Sequence, residues 1–304
     1  MAQISENDWN TLITKIKSGL CTPFIGAGAS FPALPLGGAL ATRLIEEEER
    51  ETGGACPLPD RGDLARVTQF MAVTRNDTSL PKIKIASIVR DATPPAAAPA
   101  EPHTTLASLG LPIYLTTNYD DFMVRALQQR LGAAAVTRDL ARWNEDLRKE
   151  TPSPFDQGYT PTPASPVVFH LHGHADLPLS MVATEDDYLD FLVNISKDLA
   201  GTQPDARLRT ILPLPIRRAI KTTTLLFVGY GLNDLNFRVI LRGLVSSLQP
   251  SGRQIHIAVQ FAGGSGAELL DYLERYYEWS LQVNILWGTP GEFCTDLERR
   301  LSRG

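Results

Sequence analysis

Thr22-Pro23-Phe24-Ile25 runs directly into Gly26-Ala27-Gly28-Ala29-Ser30, and Leu36 to Thr52 then carries Leu40, Leu44 and Ile45 at helical spacing. A short β-rich run, a glycine turn and an amphipathic helix, in that order, open a strand–turn–helix unit. The unit recurs. Ile113-Tyr114-Leu115-Thr116-Thr117 is β-rich, Asn118-Tyr119-Asp120-Asp121 turns, and Phe122 to Leu131 reads as helix. Val167-Val168-Phe169-His170-Leu171-His172-Gly173 is another strand that ends on a glycine. Strand runs at 224–228, 254–260 and 281–286 alternate with helical patterns at about 234–248, 267–278 and 290–302. This alternation predicts an α/β fold: a Rossmann-like, doubly wound, mainly parallel sheet covered on both faces.

Ser5-Glu6-Asn7-Asp8 reads as a helix cap ahead of Trp9, Leu12, Ile13 and Ile16, with Gly19 as the stop. Helical patterns at 62–75 and 79–91 precede a Pro/Ala connection, 93–102, and a second Pro-rich loop spans 151–166. Residues 184–220 read as a helical insertion within one domain spanning 1–304. No repeat of solenoid period is evident.

The chain has 304 residues, 43% of them hydrophobic, with 34 acidic against 29 basic side chains and a net charge of −5. That balance gives no basic face for phosphate neutralisation, so direct nucleic-acid binding is not expected. No run approaches a membrane span, and the N-terminus lacks the basic and apolar regions of a leader, so a cytoplasmic chain without membrane attachment is expected. Cys21, Cys56 and Cys294 are too scattered and too few for a disulfide framework or a four-thiolate zinc site.

In an open parallel sheet, ligands bind beyond the carboxyl ends of the strands, so the polar residues just after each strand are the informative ones. Gly26 and Gly28 let the backbone approach a pyrophosphate, or else form a structural turn. Asn118 offers a neutral amide to a ribose hydroxyl or a water, or else caps a turn. Asp120 is read first as a helix cap. His170, His172 and His174 alternate, which on an extended strand would turn all three to one side and invites a metal reading. A single imidazole there suits a general base, with Gly173 giving room for substrate, and no metal is expected. Gly229-Tyr230-Gly231-Leu232-Asn233-Asp234 is a second glycine turn, read as a phosphate or ribose contact or as ordinary turn and cap chemistry.

Taken together, Phe24 to Ser30, Leu115 to Asp120, Leu171-His172-Gly173 and Val228 to Asp234 resemble the sirtuin-like (SIR2) family in order and spacing. The resemblance spans about 24–238 and is strongest to the bacterial SIR2-like branch of anti-phage defence systems. It implies a Rossmann-like NAD-binding fold. Position by position, Gly26, Ala27, Gly28 and Ser30 match the phosphate-binding motif, and Asn118 with Asp120 match the motif beside the nicotinamide ribose. His172 matches the catalytic base. Gly229, Gly231, Asn233 and Asp234 match the later nucleotide-contacting loop. Thr116 and Thr117 fall where deacylating sirtuins carry Thr and Gln, which places Thr117 at the cofactor.

Two departures qualify the likeness. The four-cysteine zinc ribbon is missing, and Ser30 is followed by Phe-Pro-Ala-Leu-Pro rather than Gly-Ile-Pro-Asp-Phe-Arg. The segment 184–220 stands where the ribbon would be, which disfavours a peptide groove and makes water the acceptor. The resemblance therefore implies hydrolysis of NAD to ADP-ribose and nicotinamide, with His172 and Asn118 as catalytic residues. It further implies a homo-oligomer, silent until released by a separate partner such as a HerA-like ATPase or an Argonaute-like subunit. An NAD-dependent protein deacylase and a non-catalytic NAD or ADP-ribose sensor are the alternatives, with a metal-dependent hydrolase last.

Overall fold

The computed structural model describes residues 5–200, 210–231, 256–261 and 266–303. Within them lie strands β1 (Cys21–Ile25), β2 (Ile113–Thr116), β3 (Thr137–Leu140), β4 (Val167–His170), β5 (Thr224–Val228), β6 (His256–Gln260) and β7 (Val283–Trp287). They form one seven-stranded sheet in the order β3-β4-β2-β1-β5-β6-β7, and every pairing is parallel. The helices are α1 (Glu6–Lys17), α2 (Gly37–Thr52), α3 (Leu64–Arg75), α4 (Leu80–Asp91), α5 (Pro102–Ser108) and α6 (Phe122–Leu131). They continue with α7 (Glu145–Glu150), α8 (Glu185–Leu199), α9 (Leu214–Thr222), α10 (Ala267–Leu281) and α11 (Pro290–Leu301).

Strand periodicity builds two cores at once. Phe24, Leu115, Phe169, Leu225 and Phe227 point to one face, where Phe191 and Ile195 of α8 and Ile216 and Ile220 of α9 cover them. Ile25, Tyr114, Val168, Leu226 and Val228 point to the other, against Leu12 and Ile16 of α1, Leu106 of α5, Leu127 of α6 and Leu297 of α11. The sheet is thus doubly wound. Each fully buried Leu, Val or Phe contributes roughly 1.5–3 kcal/mol, which is why β1 and β5 are apolar or small on both sides. A third apolar cluster joins Leu44 and Ile45 of α2, Val67 and Met71 of α3 and Ile85 of α4, and it also takes in Phe122 and Met181.

From β1 the chain moves to β2 and on to the edge strand β3, inserts β4 between those two, then returns to build β5, β6 and β7 on the other side of β1. The winding direction therefore reverses at the β1/β5 boundary, and a crevice beyond the carboxyl ends of these strands is the standard binding place in such sheets. No helix among the described residues is long and apolar enough to cross a membrane.

Two strands differ from the sequence expectations, and two expected helical segments fall partly or wholly outside the described residues. The edge strand β3, Thr137-Arg138-Asp139-Leu140, has no apolar alternation and was not foreseen. The strand expected at 281–286 lies at Val283–Trp287. The 184–220 segment contains α8 and α9, both packed on the sheet, with 201–209 outside the described residues. The helix expected at about 234–248 also lies outside them.

Candidate active site

The glycine turns after β1 and β5 lock together. Gly28 N–H donates to Gly229 O at 2.8 Å, and Gly26 N–H donates to Val228 O at 2.9 Å. A Cβ on Gly26 would lie 2.8 Å from Gly229 O, and one on Gly229 would lie 2.3 Å from Ala29 N, at a φ of +85°. Backbone-to-backbone approach therefore accounts for these glycines before any ligand does. Ala29 N–H and Ser30 N–H also bond within the turn, to Gly26 O and Ala27 O. Ala27 N–H has no acceptor among the described residues, so it is the donor this turn can offer to an anion.

β2 delivers Asn118 to the same place. Its Nδ2 donates to Gly26 O and to Ser30 Oγ, both at 3.1 Å. Because a carbonyl only accepts, the amide orientation is forced and both hydrogens are engaged. Oδ1 has no partner among the described residues, and the side chain lines a cavity of about 900 Å³, so Oδ1 stands as a fixed acceptor for a hydroxyl or a water. Ser30 Oγ donates to Asp120 Oδ2 at 3.0 Å, while Asp120 Oδ1 accepts from Phe122 N–H at 2.9 Å, at the start of α6. The N-cap position of α6 belongs to Asp121; Asp120, one residue earlier, holds the first helical N–H and is a member of the buried Asn118–Ser30–Asp120 network.

β4 ends at His170, and the chain turns at Leu171-His172-Gly173, so the three histidines do not share a face. Gly173 has a φ of +80°, and a Cβ there would lie 2.1 Å from Ser180 O. This turn sends His172 into the cavity, between the ring edges of Tyr188 and Phe191 of α8, at centroid distances of 5.3 and 5.0 Å. His172 Nε2 is buried with no hydrogen-bond partner. Burial pushes the imidazole down to about 3, so it is neutral throughout the physiological range.

His170 and His174 instead meet Asp121, with one ligand atom from each within 4.8 Å of the others. Chemistry disfavours a metal there. Arg138 Nη1 already bridges Asp121 and Asp176, at 3.0 and 2.8 Å. His174 Nδ1 accepts from Asp176 N–H at 3.0 Å, which places its proton on Nε2, directed at Asp121 Oδ1 2.9 Å away. Neither nitrogen of His174 then offers a free lone pair to a cation. Burial raises the Asp121 carboxyl, but His174 and Arg138 outweigh this and hold it well below the usual range.

Of the residues expected at the site, Ala27, Gly28, Ser30, Thr117, Asn118, Asp120, His172, Gly229 and Gly231 all line the one cavity. Gly26 lies beneath it, and Asn233 and Asp234 lie outside the described residues. Sequence reasoning passed over Tyr230, whose hydroxyl sits 2.8 Å from Thr117 Oγ1 and 2.9 Å from Ile25 O, tying two strand-end loops together. An aromatic residue between two glycines was its only signal. Tyr188 was also missed; it belongs to an ordinary amphipathic helix and carries no local signal.

A family model described as a SIR2-like domain matches residues 112–279. The chain is 26% identical over 239 residues to an NAD(+) hydrolase ThsA of Acinetobacter baumannii, covering 76% of this chain and 40% of that protein. It is 23% identical over 276 residues to an NAD(+) hydrolase ThsA of Bacillus cereus, covering 91% of this chain and 48% of that protein. The chain thus spans less than half the length of these curated relatives. A solved structure titled "Structural Basis for the Mechanism and Regulation of Sir2 Enzymes" aligns over 98% of both chains at 15% identity, with a TM-score of 0.44.

Proposed function

The chain belongs to the SIR2-like domain family, and from that premise we propose that it hydrolyses NAD at the nicotinamide–ribosyl bond. The observation that carries the reading is the meeting, in one cavity at the β1/β5 reversal, of a fixed amide oxygen on Asn118 and a neutral imidazole on His172. NAD-directed chemistry has support from the names of the relatives. Water as acceptor, with ADP-ribose and nicotinamide as products, is our inference from the missing zinc ribbon and the helical segment at 184–220.

Bond cleavage leaves positive character on the ribose, so the site has to hold the sugar and the pyrophosphate while nicotinamide departs. Asn118 Oδ1 accepts from a ribose hydroxyl or from the attacking water. His172, neutral and with no partner on Nε2, takes the proton that this water or hydroxyl releases. Ala27 N–H and the turns ending in Gly28 and Gly231 face the phosphates, with Thr117 and Asp120 beside the ribose. Water, NAD, ADP-ribose, nicotinamide and the released proton balance without an oxidant or a metal.

As NAD loss is toxic, the same reading assigns the chain to an anti-phage effector. It is held silent and released by self-association or by a separate partner protein. The test is incubation of the purified chain with NAD, with and without candidate partners, and chromatographic identification of products. Nicotinamide with ADP-ribose supports the proposal. O-acyl-ADP-ribose from an added acylated peptide would make it a deacylase, saturable binding without turnover a sensor, and chelator-sensitive activity a metallohydrolase.

A further inference from the structure

Asn118 lies beyond the end of β2, where the sheet no longer supplies partners to its backbone. Two side chains take over. Asn118 N–H donates to Thr116 Oγ1 at 2.9 Å, and Asn118 O lies 3.0 Å from His170 Nδ1. Since the carbonyl only accepts, Nδ1 carries the imidazole proton, which leaves a lone pair on Nε2. That Nε2 is buried without a partner. An orphaned polar atom in a fully buried side chain is costly, and an apolar residue at this position would avoid the cost. Packing alone therefore does not account for an imidazole at the end of β4.

We propose that His170, which does not line the cavity, is a positioning residue: its Nδ1–H holds the Asn118 carbonyl and so keeps Asn118 Oδ1 aimed at the reacting sugar. Parallel pairing sets Thr116 opposite His170, so the donor sits one short loop away from the carbonyl it serves. Thr116 and His170 grip the Asn118 backbone from both sides, while Gly26 O and Ser30 Oγ hold its amide. Releasing the carbonyl would free the peptide plane to rotate and would swing the amide off both of its acceptors. The catalytic consequence rests on the NAD hydrolase reading; the positioning itself does not.

The test compares His170→Leu, which removes the donor, with His170→Asn, whose amide nitrogen falls near the Nδ1 position and restores it. His170→Gln, whose amide falls near Nε2, keeps size and polarity without the donor. The first readout is ligand-free: hydrogen exchange of the Asn118 side-chain amide by NMR, assigned from its absence in Asn118→Ala. Protection is expected in the parent and in His170→Asn, with exchange about tenfold faster or more in His170→Leu and His170→Gln. The second readout is NAD turnover, where the Leu and Gln variants should lose about tenfold or more in kcat, with KM little changed, and the Asn variant should recover most of it.

Equal protection and equal kcat in His170→Leu and the parent would overturn the proposal. Should the Leu variant not fold, indistinguishable Asn and Gln variants would overturn it in the same way. A parent chain that turns over no NAD with or without its releasing partner would defeat the functional reading alone, and the exchange experiment would still decide whether His170 positions Asn118.

Discussion

Asn118 and His172 reach the cavity by opposite routes. The amide is held by hydrogen bonds on every side except Oδ1, whereas the imidazole is held by the ring edges of Tyr188 and Phe191 with no polar partner on Nε2. Substituting either by Ala should lower NAD turnover by about 10²-fold or more while leaving the fold intact by circular dichroism, with turnover checked by etheno-NAD fluorescence. Full turnover in both variants would remove these two groups from the chemistry. Because burial holds His172 near 3 rather than the ordinary 6.5, kcat/KM should stay level from about pH 8 to about pH 5.5. An acidic limb near the ordinary imidazole value would mean that His172 is hydrated in the working protein. The identity of these two side chains was legible from the motif residues Asn118 and His172-Gly173. Their partners were not, because Tyr188 and Phe191 belong to a helix whose sequence reports only that one of its faces is buried.

The helix that carries these aromatic rings is itself anchored at its first turn. Lys82 Nζ on α4 lies 2.7 Å from Asp187 Oδ1 on α8, and Asp187 Oδ2 accepts from Ala183 N–H and Thr184 N–H at 3.0 and 2.9 Å. Both side chains are largely buried, so Lys82→Met strands an uncompensated carboxylate and should cost about 3–5 kcal/mol in urea unfolding. Pairing it with Asp187→Leu should cost less than the two single changes summed, since neither charge is then left alone. An additive result would show that the pair is effectively hydrated. Strand β3 makes the complementary point about legibility. Thr137-Arg138-Asp139-Leu140 sits at the sheet edge, its Asp139 held by Arg142 at 2.6 Å and its Arg138 by Asp121 at 3.0 Å. Such a strand needs no apolar alternation, so the pattern that announced β1, β2 and β4 was absent there.

Across the molecule, acid is the condition to which this architecture is most exposed. Burial depresses His170 and His172 to about 3 and His256 to about 4, all below their ordinary 6.5. Below pH 6.5 the unfolded chain binds protons that the folded chain refuses. The stability present above 6.5 is therefore lost as pH falls toward these depressed values, by up to about 1.4 kcal/mol per pH unit for each group. Glu101 adds a later loss: burial opposes its ionisation, but His103 and the Thr104 donors hold it at about 2, so its contribution disappears as pH falls below 4.5. Urea unfolding at pH 7.5 and at pH 5.5 should show a clear fall at the lower pH, with a larger share recovered by His256→Gln than by any surface substitution. Equal stability at the two values would mean that these imidazoles are not desolvated.

The order of residues was enough to determine a parallel, doubly wound sheet and the strand ends that line the cavity, because period-two runs and glycine turns are local signals. Only the tertiary structure decided that Asn118 would grip Gly26 and Ser30, separated from it by 92 and 88 positions. It also decided that Gly229 would close on Gly28, and that His172 alone among the alternating histidines would enter the cavity. The physical reason is that strand order and the reversal beside β1 set these distances. A backbone turn at Gly173, held against Ser180, sets the direction of the imidazole, and neither is written in any short stretch of sequence.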